Sequence, residues 1–388
     1  MAMTSRERVQ AVLNHEIPDR VPLIIGASNA TGIKMKTYQG IKQLVGISAA
    51  DEYIYDWPEL GTAKIDEETM RRLRSDVRGV LDQFPKAVQE RNKNREPHTP
   101  CIDDWGIGQI EIEPSVWFPG YHPLADARTI EDLEAYDGWP DMDDPYRVAI
   151  AKQEAEALDQ KNHYAIMAAP WLMFPFERAI GLQGMDKFLM NMAVYPDFAE
   201  AMLRKITELC KKHLTNFLKA VGEHIDLIKI GDDLGTQDRL MISPRMYRRM
   251  LKPLHADLIE TIRAHTKAKI FFHTDGDVFD LIDDFIEIGV DVLNPIQTSA
   301  GKMSDLEALK KRYGNNLVFC GAIDTQHILP HGTPEDVRQE VKRVIHILGE
   351  DGGYMAASVH TIMNEVPPEN VLAMVDAVEE FGYYPLKK

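Results

Sequence analysis

The feature that most constrains the fold is a regular alternation of short apolar segments with helical patterns after about residue 147. The six apolar segments are 164–169, 227–230, 268–272, 292–296, 317–321 and 354–359. Strands that alternate with helices in this way predict a parallel sheet. Two more candidate strands, 21–26 and 51–56, raise the count to eight, which fits a closed (β/α)8 TIM barrel. A doubly wound open sheet is the alternative, but no glycine-rich phosphate loop follows the first candidate strand.

Residues 93–145 interrupt this pattern. They are rich in proline, glycine, tryptophan and aspartate, and we predict a β-hairpin at 108–118. We interpret the region as an irregular lid inserted into the barrel, and we expect residues 1–388 to form a single domain. The chain is predicted to begin with a helix, because Thr4 and Glu7 have the spacing of a capping box.

Composition and charge narrow the class of protein. The formal net charge of -17 argues against a nucleic-acid partner, because phosphate binding needs concentrated lysine and arginine. The sequence has neither a long apolar window typical of a membrane span nor an apolar leader. The three cysteines, Cys101, Cys210 and Cys320, are too widely separated to suggest a disulfide framework. We therefore predict a reduced, cytoplasmic protein that binds neither nucleic acid nor membranes, and the sequence allows a homodimer without requiring one.

Polar side chains follow five successive predicted strands. The carboxyl ends of barrel strands build the active site in folds of this class, so these side chains are the candidates for chemistry. In strand order they are Asp232, Asp233 and Gln237; His273 and Asp275; Asn294 and Gln297; Asp324 and Gln326; and His360 and Asn364. His273 and Asp275 are two apart, so they point the same way in an extended segment.

These residue types fit two kinds of site. Histidines, carboxylates and the thiol of Cys320 at one rim could hold a Zn²⁺ ion with a position open to substrate. The predicted metal ligands are His273, Asp275, His360 and Cys320. The groups could equally be general acids and bases with tuned pKa values, for which the candidates are Asp232, Asp233, His273 and His360. Structural roles stay open: Cys320 as a buried hydrophobe, Asp232 as a cap and Asn364 as a partner for loop backbone.

Nine short motifs along the chain are informative in combination. They are RERV (6–9), PDRVP (18–22), DWG (104–106), HPLA (122–125), GDDLGTQ (231–237), ISPRMY (242–247), HTDG (273–276), GAIDTQ (321–326) and VPPENV (366–371). In combination they resemble the uroporphyrinogen decarboxylase superfamily over nearly the whole chain. The resemblance implies one (β/α)8 barrel with its pocket at the carboxyl ends of the strands.

The resemblance also implies a choice between two chemistries. The decarboxylases hold a polycarboxylate porphyrinogen through arginines that follow the first strand, and the corresponding stretch 26–32 here has none. We therefore exclude porphyrinogen as the substrate. The other branch comprises zinc-dependent methyltransferases that exchange a methyl group with a corrinoid protein, with a His-x-Cys pair and a later cysteine as ligands. Here His273 matches the histidine, whereas Asp275 and His360 stand where the thiolates would be.

Replacing thiolates by harder ligands leaves zinc a stronger Lewis acid toward oxygen. We therefore predict a corrinoid-protein-dependent methyltransferase that demethylates a methoxylated small molecule. The corrinoid would be carried by a separate partner protein, because the chain has no Asp-x-His-x-x-Gly corrinoid motif. Alternatives are a metal-free lyase acting on a carboxylated substrate, with His360 and Asp232 as proton donors, and a non-catalytic binding barrel.

The predicted substrate contacts complete this interpretation. They are Gln237, Asn294, Gln297, Asp324, Gln326, Asn364, Trp171 and Phe174. An aromatic ring of the substrate would lie against Trp171, Met173, Phe174 and Phe176, with Trp105 and Trp117. The alternative is that these side chains only pack the lid.

Overall fold

A seven-stranded parallel sheet forms the centre of the protein. The computed structural model describes residues 2–96, 99–113, 116–171 and 174–386. The strands of the parallel sheet are β1 Val77–Val80, β5 Ala165–Ala168, β6 Leu227–Gly231, β7 Lys269–His273, β8 Val292–Ile296, β9 Val318–Ile323 and β10 Tyr354–Ser358, hydrogen-bonded in that order. A TIM-barrel fold, as the sequence predicts, is confirmed.

The strands are apolar because helices cover one face and the barrel interior the other. Every residue of β5, β8, β9 and β10 is buried. Alternate strand residues such as Leu227 and Phe271 join an inner cluster, and Val9 and Val12 of the first helix belong to the same cluster. The first helix therefore packs against the barrel interior, opposite the end where the polar residues emerge.

The barrel is joined between its first and last strands by residues 21–25. Leu23 forms a parallel bridge to Ala356 of β10, and its carbonyl accepts a hydrogen bond from Asp76 N beside β1. The strand predicted at 21–26 is thus in the expected place, although only isolated bridges form. The strand predicted at 51–56 is wrong, because Ile54–Asp56 is a 3-10 helix. The sequence analysis missed β1 itself.

The helices alternate with these strands as expected. They are α1 Ser5–Leu13, α2 Met35–Val45, α3 Glu67–Arg72, α4 Lys86–Lys93, α5 Ile130–Ala135, α6 Tyr146–Lys161, α7 Pro175–Gln183, α8 Met185–Val194, α9 Pro196–Val221, α10 Pro244–Met250, α11 Lys252–Arg263, α12 Ile282–Ile288, α13 Leu306–Tyr313, α14 Ile328–His331, α15 Pro334–Leu348 and α16 Pro368–Phe381. The Thr4–Glu7 capping box at α1 is present. No helix in the described part of the chain combines the length and the apolar character that crossing a membrane requires.

The lid carries a three-stranded antiparallel sheet, β2 Cys101–Ile102, β3 Gly108–Glu113 and β4 Val116–Tyr121. The predicted hairpin is confirmed, with Ile110 opposite Phe118, while residues 114–115 lie outside the described residues. A buried ion pair fixes the lid to the barrel. Arg178 of α7 is fully buried and donates a hydrogen bond to Asp103 at 2.7 Å. Its guanidinium also lies 4.8 Å from the centre of the Trp105 ring.

Candidate metal and substrate site

Two histidines and an aspartate meet at the carboxyl end of the barrel. His273 is the last residue of β7, Asp275 follows it by two residues, and His360 lies just beyond β10. One ligand atom from each lies within 4.8 Å of the others. The Nε2 atoms of His273 and His360 are 3.9 and 3.8 Å from opposite carboxylate oxygens of Asp275. With zinc-to-ligand bonds of about 2.0–2.2 Å, donor atoms at these separations can share one ion.

Asn294 of β8 orients the first histidine. Its Oδ1 lies 2.7 Å from His273 Nδ1, and its Nδ2 faces the carbonyl of Cys320. Because the amide nitrogen faces a carbonyl, Oδ1 is the acceptor for an Nδ1–H donor on His273. The Nε2 lone pair of that imidazole is then directed to Asp275 and available to a metal, an outer-shell arrangement common in metal sites.

Asp275 has an unsatisfied oxygen. Its Oδ1 is buried and has no hydrogen-bond partner among the described residues. Its backbone N–H donates to Asp233 Oδ1 at 2.9 Å, which brings a second carboxylate close. Burial, and then the charge of Asp233, raise the pKa of Asp275 well above its ordinary value. A buried oxygen of this kind is costly unless a cation or a proton occupies the space beside it.

A cavity of about 160 Å³ adjoins this group. Besides His273 and His360, its lining includes Lys229, Glu177 and Asp233. Lys229 lies inside β6, where its neighbours Ile228 and Ile230 are buried. It points into the barrel because it is two residues after Leu227 of the inner cluster.

Burial controls the protonation of these groups. It raises the pKa of Glu177 well above its usual range, aided by the charge of Asp233. Burial lowers the pKa of Lys229, against the attraction of Glu177 and other carboxylates. Burial and the Lys229 charge lower the pKa of His273 well below its ordinary value. The His360 side chain is only partly buried, and its desolvation at the cavity together with the Lys229 charge lowers its pKa to about 4. Both imidazoles are therefore neutral at pH 7, the form in which histidine binds metal.

The charges around the cavity favour a dication. Asp233, Glu177 and Lys229 line the cavity, and Asp275 lies beside Asp233. Carboxyl groups outnumber the ammonium group of Lys229 here, so a divalent cation beside Asp275 would offset negative charge. It would also provide the partner that Oδ1 lacks among the described residues. The residues present therefore fit a zinc ion.

A second, more open cavity of about 510 Å³ lies on the other side of the cluster. Asp275, Gln237, Gln297, Gln326 and His360 line it. Gln297 accepts a hydrogen bond from Gly276 N at 2.7 Å through Oε1, and its Nε2 donates to Gln237 at 3.4 Å. These three glutamines predicted to bind substrate thus share one surface that includes the metal cluster.

Asp232 has a structural environment, which favours the capping role left open in the sequence analysis over that of a proton donor. The side chain is fully buried, and its two oxygens accept from the backbone N–H groups of Phe176 and Glu177 at 3.0 and 2.7 Å. Buried His255 lies 2.9 Å from Oδ2. Asp232 therefore fixes the start of α7, and with it the position of Glu177, instead of facing the cavity.

Four further residues are not brought into the cluster. Cys320 lies in the inner hydrophobic core, where burial raises its pKa to about 12, so the structure does not support it as a metal ligand. Phe174 is fully buried in the outer core and does not reach the cavity. Asp324 accepts from backbone N–H groups at the start of α14, and Asn364 accepts from Lys36 N in α2. Each of these four side chains packs or caps local structure.

The other aromatic residues predicted to contact substrate lie in three different environments. Trp171 lines the 160 Å³ cavity. Trp105 and Phe176 are buried in the core, away from it. Trp117 is partly exposed on the lid, and Met173 lies outside the described residues.

The sequence analysis missed Lys229, Glu177 and Tyr55 of the cavity wall. The sequence does carry a signal for Lys229. A lysine between two isoleucines in a buried strand is rare, and its charge needs a partner inside the protein. Glu177 and Tyr55 carried no such signal. Their place depends on where α7 and the 3-10 helix at Ile54–Asp56 pack.

Comparisons with known proteins agree with this architecture. The family model described as Uroporphyrinogen decarboxylase (URO-D) matches residues 114–381, more than half of the chain. The chain belongs to this family. A uroporphyrinogen decarboxylase from Christiangramia forsetii is 23% identical over 278 residues, 70% of this chain and 75% of that protein. One from Psychromonas ingrahamii is 37% identical over 78 residues, 20% of this chain and 22% of that protein.

A solved structure shares the fold of this URO-D family member over almost its whole length. A methyltransferase from Methanosarcina mazei matches with a TM-score of 0.66 and 20% sequence identity. The match covers 98% of this chain and 99% of the other. At this level of identity, the likeness establishes a common fold.

Proposed function

We propose that this protein is a zinc-dependent methyltransferase that removes a methyl group from a methoxylated small molecule and passes it to a corrinoid on a separate protein. The observation that carries the proposal is the group formed by His273, Asp275 and His360, with a buried carboxylate oxygen that has no hydrogen-bond partner among the residues the structure describes. Membership of the URO-D family and the fold shared with a methyltransferase support it.

The three ligands would leave one position of a tetrahedral ion open to substrate. When bound, zinc would supply Lewis acidity toward the oxygen of the methoxyl group. One carboxylate and two neutral imidazoles carry less negative charge than two thiolates and an imidazole. This ligand set therefore favours an oxygen substrate over a thiol.

The protein's own side chains would then hold protons and orient groups. Asn294 keeps the Nε2 atom of His273 directed at Asp275. Glu177, whose pKa burial raises, is the candidate donor of a proton to the substrate oxygen that loses its methyl group. Lys229, which lines the same cavity, offers a hydrogen bond to the same oxygen.

Metal content combined with methyl transfer tests the proposal. We expect about one zinc ion per chain in wild-type protein purified with zinc, and almost none in His360→Ala. The His360 side chain is 39% exposed, so its truncation leaves the core intact. With a methoxylated donor and a reduced corrinoid protein, only the zinc-containing wild type should produce methylated corrinoid. Metal-free wild-type protein, or equal zinc content in the variant, would contradict the proposal.

Lys229 favours a second candidate, a metal-free decarboxylase. A lysine in the cavity could hold a substrate carboxylate while Glu177 protonates the product carbon. The two candidates differ in their response to chelation. Activity that survives complete zinc removal would support the decarboxylase.

A further inference from the structure

A third cavity, of about 660 Å³, lies beside the 160 Å³ cavity that adjoins His273 and His360, which we call the metal cavity. We call the third cavity the aromatic cavity and define it by Tyr55, Trp57, Phe84, Val88 and Arg95 of its wall. Tyr55 lines both this cavity and the metal cavity, so a single side chain forms part of the wall of each. The metal cavity, at about 160 Å³, accommodates only a small group, whereas 660 Å³ is within the range of small-molecule sites.

Four aromatic rings lie at the boundary between the two cavities, and Tyr55 belongs to both walls. The centroids of Trp57 and Phe84 are 4.6 Å apart, and those of Tyr55 and Trp171 are 5.1 Å apart, both edge-to-face. Phe84 and Trp171 are also edge-to-face, at 5.8 Å. Edge-to-face surfaces of this kind offer favourable contacts to another aromatic ring.

Tyr55 is held in place with an unusual backbone. Its φ is +58°, in the left-handed region that non-glycine residues rarely adopt. Its hydroxyl donates to the carbonyl of Ala169 at 3.1 Å, at the end of β5. Backbone strain of this kind persists where the surrounding structure over-determines it, often at ligand sites.

The walls carry hydrogen-bond donors without acceptors. Trp57 is only 4% exposed, and its Nε1 has no partner among the described residues. Within the same described set, Arg95 Nε also lacks a partner, as does Nε1 of Trp171, which lines the metal cavity. The Trp57 and Arg95 atoms are N–H donors of the aromatic cavity, so a ligand that satisfies them carries acceptor oxygens.

The charge of the wall favours an anion. Arg95 pairs with Glu59 and lies 5.3 Å from the Trp117 ring. Lys86 and Lys93 contribute two more positive charges to the lining, against Glu59 and Glu90. Three cations face two carboxylates, so the lining has a net charge of plus one. An anionic group near Arg95 would neutralise this net positive charge.

We propose that the aromatic cavity binds an aromatic carboxylate, with its ring against Trp57 and Phe84 and its carboxylate at Arg95. Its role as the body of the methyl donor rests on the proposed function, in which a methoxyl group would reach the metal cavity past Tyr55. Binding of the ring and the anion can be tested without turnover. The two ideas can therefore fail separately.

Calorimetric titration of the full-length, zinc-treated protein tests the site. The probe is 4-methoxybenzoate, compared with neutral 4-methoxybenzamide and with non-aromatic cyclohexanecarboxylate. We expect 4-methoxybenzoate to bind at least about tenfold more tightly than either analogue. Arg95→Gln should weaken this binding by at least about tenfold.

Glu59→Gln is the matched control, because it removes the partner of Arg95 but keeps the guanidinium. Its affinity should equal or exceed that of the wild type. Trp57→Phe keeps an aromatic ring but removes the five-membered half of the indole together with Nε1, so it should bind a few-fold more weakly. Unchanged affinity in both Arg95→Gln and Trp57→Phe, or no binding by the wild type at millimolar probe, would overturn the proposal.

Zinc content separates this inference from the proposed function. Benzoate binding that needs Arg95 in a protein without zinc would leave the inference standing and remove the methyltransferase. A zinc-loaded protein that transfers methyl groups but does not bind 4-methoxybenzoate would support the methyltransferase and overturn the inference about the aromatic cavity.

Discussion

Two aspartates at the ends of neighbouring strands have opposite environments. Asp232, beyond β6, is fully buried, and its oxygens accept from two backbone N–H groups and face His255. Asp275, beyond β7, has one buried oxygen that finds no partner in the described part of the chain, and it lies near two histidines at 3.8 to 3.9 Å. Both carboxylates belong to a histidine–aspartate pair at one end of the barrel. Hydrogen-bond satisfaction, more than residue type or strand position, distinguishes the structural pair from the candidate metal site.

The largest expected difference is between His273→Ala and His255→Ala. The first should lose the metal and about 10³-fold in activity while staying folded, because a ligand is removed. The second should keep metal binding per folded molecule but lower the free energy of unfolding by about 3 kcal/mol, because Asp232 loses its partner inside the core. Elemental analysis and urea denaturation measure the two effects. Equal metal content and equal free energies of unfolding in the two variants would mean that the two histidine–aspartate groups do not differ in role.

Replacing Asn294 should produce a smaller loss on the metal side. In Asn294→Leu, His273 loses the acceptor that fixes its ring, so zinc affinity should fall by about 10–100-fold. Asn294→Asp retains an acceptor oxygen and should restore most of that affinity. Competition with a chelator measures both variants. Full affinity in the leucine variant would mean that the ring is held by other contacts.

The two aspartates should also differ in stability when each is replaced by asparagine. Asp232→Asn loses one acceptor and should lower the free energy of unfolding by about 1–2 kcal/mol. Asp275→Asn in metal-free protein should cost nothing or stabilise the fold, because it removes repulsion with Asp233. Urea denaturation of both metal-free variants measures the contrast. Equal losses would show that Asp275 is satisfied in solution.

The smallest effect concerns Glu177 and pH. Its folded-state pKa is raised, so the folded protein binds the proton more tightly than the unfolded chain does. Stability therefore falls as pH rises from the unfolded-state pKa of about 4.3 towards the raised folded value. Glu177→Gln removes this loss of stability. The free energies of unfolding of the metal-free variant and the metal-free wild type should therefore diverge between pH 4 and pH 8. A constant difference across that range would mean that Glu177 ionises normally.

Much of the fold could be predicted from local patterns. The apolar segments at 292–296 and 354–359 and the helix at 368–381 were located to within a residue, because strands buried on both faces and amphipathic helices have distinct periodicities. Val77–Val80 was missed because an arginine and a glycine interrupt its four residues. The guanidinium of Arg78 leaves the sheet, pairing with Glu67 and stacking on Tyr164. These contacts involve other parts of the chain.

The candidate site also combines features that local sequence predicts with features that depend on distant parts of the chain. The sequence by itself determined which residues the strand ends deliver, including His273, Asp275 and His360, because a parallel barrel gathers all its carboxyl ends at one rim. Only the tertiary structure decided which of those residues face the cavity. Asp232 and Asp233 are adjacent in sequence, yet one caps α7 and the other lines the cavity. That choice depends on hydrogen-bond partners supplied by distant elements, which no local pattern specifies.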